Sequence, residues 1–142
     1  MKFIKFISVC FLTLCLYACV NKPYPHTMQI ADTLVYNNPD SAIVLLEQLE
    51  DSITSESKEI QNYYWLLRIK ANDKAYITHS SDSLIQEVLQ YYENKGDNKH
   101  LPEAYYYAGR VYSDLGDAPQ ALDYFQNCLL YTSPSPRDTE RS

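Results

Sequence analysis

The chain has 142 residues, 46% of them hydrophobic and 21% charged, with three glycines, fourteen tyrosines and one tryptophan, which excludes the disordered class and supplies an aromatic-rich core. The scarcity of glycine and the lack of any Asn-Gly or Asp-Gly pair argue against a hairpin-rich β protein and favour helices. The net charge is −6, and between Val20 and Asn127 eight basic residues stand against sixteen acidic ones, a balance that repels phosphate backbones and sets nucleic acid aside as a partner.

In chain order, Lys2 and Lys5 precede an uncharged run from Phe6 to Val20 with Ala18 just before Cys19. That is a signal-peptide layout, too short for the roughly 20 residues that span a bilayer. Residues 20–25, with two prolines, make a tether. Helical periodicity begins near His26, with a first stripe of Ile30, Leu34 and Val35 that ends at Asn37-Asn38-Pro39. Pro39 and Asp40 open a second helix, whose broad apolar face carries Ala42, Ile43, Leu45, Leu46 and Leu49. Glu47, Glu50 and Asp51 read as its solvated face.

Ser57 is placed to cap a third helix, in which Ile60, Tyr64, Leu67 and Ala71 fall on one side and Trp65 flanks the stripe as a core residue. A longer connection leads to Ser83-Leu84-Ile85-Gln86, a capping-box pattern, and to a fourth helix that stops at Lys95-Gly96. Pro102 starts a fifth helix that runs to about Leu115, Gly116-Asp117 turns the chain, and Pro119 starts the sixth. The expectation is six helices in three antiparallel pairs.

Two stretches carry specific resemblances. Leu16-Tyr17-Ala18-Cys19 resembles the bacterial lipobox, which implies lipidation of Cys19 and stable anchoring by two or more acyl chains. PEAYYYAGRVYSDLGDAPQALDYFQN resembles the tetratricopeptide repeat. Within it Tyr105, Ala108, Gly109 and Tyr112 fall on the inner face of one helix and Ala121 and Phe125 on the facing side of the next, so that small residues admit the aromatic ones. Pro39 to Leu49 is a weaker copy of the second half. The block as a whole resembles a family of Gram-negative tetratricopeptide lipoproteins. This implies an all-α fold of antiparallel helical hairpins stacked as an irregular right-handed solenoid, over residues 26–127. The segment from Cys128 to Asp138 resembles the translation of a transposase-type sequencing adapter, so residues 128–142 are expected to be disordered and not native, with the natural protein continuing past Asn127.

The resemblance implies a lipid-anchored, periplasm-facing protein of the cell envelope that binds a protein or peptide on its concave face, at Glu103, Tyr106, Arg110, Ser113 and Asp114. Tyr106 and Arg110 are the residue types that dominate interface energetics. The alternative is the sensory input region of a membrane-bound signalling or transcription-regulating protein. No enzyme, cofactor, metal or small-molecule substrate is expected. His26, His79 and His100 lack metal-ligand spacing, no phosphate loop, HExxH or GxSxG occurs, and the adjacent His79, Ser80, Ser81, Asp82 and Ser83 read as helix-capping residues.

Overall fold

The computed structural model describes residues 23–132, which form seven helices and no strand. These are α1 (His26–Leu34), α2 (Pro39–Glu47), α3 (Glu50–Ile53), α4 (Lys58–Lys74), α5 (Ser83–Lys95), α6 (Leu101–Asp114) and α7 (Ala118–Thr132). The single-turn α3, which buries Ile53, is additional to the six expected. The last helix passes through Cys128 to Thr132, beyond Asn127. The lipobox with Cys19, and residues 133–142 of the adapter-like segment, lie outside the described residues. Among the described residues no helix is long and apolar enough to cross a membrane.

Local chemistry sets the boundaries. Asn38 accepts a hydrogen bond from Ser41 N at 3.2 Å with Pro39 at the first helical position, and Ser57 accepts from Ile60 N at 3.4 Å. The capping box expected at Ser83 does not form. Ser83 N donates to Ser81 Oγ at 3.2 Å, while the Gln86 amide donates to the hydroxyls of Tyr112 at 2.9 Å and Tyr124 at 2.7 Å. Burial of the tyrosines against α5 offers Gln86 better partners than the helix end does.

Three helices close in the same way, with a left-handed residue followed by a bond back to the carbonyl five residues earlier. In α5 and α6 that residue is glycine, Gly96 at φ 64° and Gly116 at φ 79°. In α4 it is Tyr76, at φ 59°, with Ile77 N on Asn72 O at 2.9 Å. Such a conformation costs a side chain about 1–2 kcal/mol.

Of the expected stripe of α1, Val35 is fully buried but Ile30 is on the surface, and Met28 and Ala31 join Val35 in the interior. They share a core with Ala42, Leu46, Ile53, Ile60, Tyr64, Leu67 and Ala71. A second core gathers Leu66 and Ile69 with the inner faces of α5 and α6. Helix α4 therefore buries two faces at once, and Trp65 lies between the cores, edge-on to Tyr64 at 4.8 Å.

The α6–α7 pair interlocks through its small residues. Ala108, Gly109 and Ala121 are buried, and a Cβ placed on Gly109 would overlap the Phe125 ring. Tyr105 and Tyr112, expected beside Phe125, instead meet Tyr124 at centroid distances of 6.3 and 5.3 Å, and Phe125 meets Tyr106 at 5.9 Å. The aromatic contacts thus fall in two groups, one around Tyr124 and one around Phe125, whose ring covers Gly109.

Two substitutions probe these features by urea unfolding. Gly109→Ala is expected to lower stability by about 1–2 kcal/mol, because overpacking against Phe125 at about 1–3 kcal/mol exceeds the helix gain of about 0.5–1. Phe125→Leu in that background should recover part of the loss. Tyr76→Gly is expected to raise stability by about 0.5–1 kcal/mol, since relief of the left-handed backbone outweighs the added chain entropy and the ring, 95% exposed, gives up little packing.

Candidate functional site: a tyrosine and lysine groove beside an ion-pair ladder

The polar residues of α4 cannot all reach water, because both of its apolar faces are covered. Lys70 is buried, and its ammonium lies 3.2 Å from Asp32 Oδ1 of α1 and 2.9 Å from Glu103 Oε1 of α6. Burial alone would lower the pKa of this lysine, but Glu103 and Asp32 outweigh it and hold it above its ordinary value. Tyr63 donates to the other oxygen of Asp32 at 2.8 Å. Asp73, one turn further on, accepts from Arg110 Nε at 2.6 Å and pairs with Lys74 at 3.2 Å. Past the helix end, Asp114 accepts from His79 N at 3.0 Å and stands 2.8 Å from His79 Nδ1.

This ladder occupies three of the five positions expected to face a partner. Glu103 is held by Lys70, Arg110 by Asp73 and Asp114 by His79, while Ser113 Oγ donates to its own helix at Gly109 O, 2.8 Å. Tyr106 differs: it is 38% exposed. Beside it a groove of about 640 Å³ runs over α6, lined by Tyr36, Lys74, Lys99, Pro102, Glu103, Tyr106 and Tyr107, and by Cys128, Tyr131 and Thr132 of α7. The Lys74 ammonium sits 5.7 Å from the Tyr36 ring, 5.9 Å from that of Tyr106 and 5.8 Å from that of Tyr107. Tyr36 is 63% exposed.

The structure therefore brings Glu103 and Tyr106 to one groove and sets Arg110, Ser113 and Asp114 outside its lining. Sequence reasoning passed over Tyr36 and Lys74. Their one signal was that a tyrosine follows the Leu34-Val35 stripe and a lysine ends the α4 pattern, which fits helix-end solvation equally well. Among the described residues no group of three or more His, Cys, Asp or Glu side chains stands ready to hold a metal ion. No family model, curated protein or solved structure matches this chain.

Burial raises the Asp114 carboxyl, but the hydrogen bonds from His79 and the charges of His79 and Arg110 outweigh it and hold the pKa below the ordinary value. A carboxyl lowered on folding contributes stability that is complete above its unfolded pKa, near 3.9, and is lost as pH falls through the folded value. Asp114→Asn should cost roughly 1–3 kcal/mol at pH 7, with His79 left short of an acceptor. It should also flatten the decline of stability below about pH 4, both read from urea midpoints across pH.

Proposed function

We propose that this protein is a binding scaffold of tetratricopeptide-like hairpins, stacked as an irregular right-handed solenoid, which holds a polypeptide partner across α6 and is tethered to the cell envelope through lipidated Cys19. The observation that carries this reading is the groove in which Lys74 stands within 6 Å of three tyrosine rings, two of them open to solvent. Rigid aromatic rings and a cation at the centre of a concave surface are the residue types that supply binding energy at low entropic cost. The small-to-large interlock of Gly109 and Phe125 supports the hairpin type, because it is the contact that the repeat pattern calls for.

The polypeptide reading is favoured over chemistry by what the groove holds. Its ionisable side chains are Lys74, Lys99 and Glu103, with the Cys128 thiol and four tyrosines. Glu103, its one carboxylate, is engaged by Lys70.

A photo-crosslinking amino acid at Tyr36 or Tyr106, in the intact chain expressed in its own cells, tests the proposal. Both positions should yield one discrete protein adduct, which Lys74→Glu removes, while the same probe at Leu122 on the outer side of α7 should yield none. Adducts equal at all three sites, or indifferent to Lys74→Glu, would remove the groove as the binding surface. Acyl labelling that persists in Cys19→Ser would remove the tether.

A further inference from the structure

Beneath the connection between α4 and α5 lies a second, more enclosed cavity of about 130 Å³. Its size is close to the ~150 Å³ of cavities that accept a benzene ring. One wall is apolar, formed by Trp65 and Ile69 of α4, Leu84 of α5 and Val111 of α6. The other carries Arg68, Asn72 and His79, and no carboxylate is among its lining side chains.

Two of these polar groups are incompletely satisfied. The His79 side chain is only 9% exposed; its Nδ1 edge is fixed on Asp114 at 2.8 Å, and Nε2, on the opposite edge of the ring, is buried with no hydrogen-bond partner. Arg68 Nη1 is likewise buried with no hydrogen bond, and its ion pair with Glu50 is long, at 3.9 Å. A buried polar atom without a partner costs about 1–3 kcal/mol. His79 Nε2 and Arg68 Nη1 are two such atoms, and both residues line a cavity that is otherwise built like a ligand pocket, with apolar walls and a few polar groups to fix orientation.

We propose that this cavity binds a small organic carboxylate with a compact apolar body. The body would lie against Trp65, Ile69 and Leu84. The carboxylate would accept from the Arg68 guanidinium and from His79 Nε2, the imidazole taking up one proton from solvent as the ligand binds and then donating on both edges, to Asp114 and to the ligand. A neutral molecule of the same shape satisfies the apolar wall but gives the two donors no anion. This site shares no lining residue with the groove over α6 and stands whether or not the groove binds polypeptide.

Trp65 is the chain's single tryptophan and lines the cavity, so its fluorescence reports occupancy directly. Benzoate and isobutyrate, titrated into the purified chain, should each give a saturable change, with Kd in the roughly millimolar range expected of ligands with so few heavy atoms. Benzamide and isobutyramide should bind at least tenfold more weakly. Arg68→Gln should weaken benzoate about tenfold or more and leave benzamide unchanged. The proposal is overturned if neither carboxylate gives a saturable signal by fluorescence and calorimetry, or if the amides bind as well as the acids. Both comparisons use the unmutated chain and hold even if Arg68→Gln fails to fold.

Discussion

The structure depends on α4 being buried on two faces. Ile60, Tyr64, Leu67 and Ala71 close one core against α1 and α2, and Leu66 and Ile69 close another against α5 and α6. A helix of 17 residues covered in this way has little perimeter left for solvent. Lys70 and Asp73 fall in what remains, and both are buried. Charges so placed must be paired, since breaking a buried pair costs far more than an exposed one. That requirement explains why Asp32 of α1 and Glu103 and Arg110 of α6 turn toward α4.

The ladder that results fixes the relative placement of three helices. Asp32, Lys70 and Glu103 come from α1, α4 and α6, and a shift of any one by a turn would leave two like charges facing each other or one lysine without a partner. Apolar contacts between the same helices are tolerant of such slips, because one leucine replaces another at small cost. The ion pairs therefore supply register, and the two cores supply most of the stability. The same pairing removes Glu103, Arg110 and Asp114 as free surface charges and leaves the neighbouring Tyr36, Lys74 and Tyr106 as the exposed chemistry of that face.

What could be read from the sequence was what depends on neighbours in the chain. Ser57 caps its helix, Gly96 and Gly116 adopt the left-handed conformation that ends theirs, and the spacing of Ala108, Gly109, Ala121 and Phe125 places small residues opposite a ring. Features decided by distant residues could not be read. In α1, Met28 and Ala31 joined the expected Val35 because the cover supplied by α2 and α4 fixes the rotation of the helix, and Ile30 was left on the surface. Gln86 had the spacing of a capping box, but Tyr112 and Tyr124 lie 26 and 38 residues away and claim its amide. The Asp114–His79 contact spans 35 residues, and nothing local to either residue announces it.

The connection from Ala75 to Asp82 shows how a long linker can be tolerated in a tightly packed molecule. Loop length itself adds little, because closure entropy grows only with the logarithm of length. The greater cost is ordering the linker's own backbone, at about 1–2 kcal/mol per residue. Here the two ends are held by different means: Tyr76 and Ile77 complete the closure of α4, and His79 is fastened by its amide and its ring to Asp114 of α6. Pinned in this way, the segment bridges the gap between the ends of α4 and α5 without filling it. His79 and Ser81 of the segment form part of the wall of the enclosed cavity, whose remaining lining comes from α4, α5 and α6.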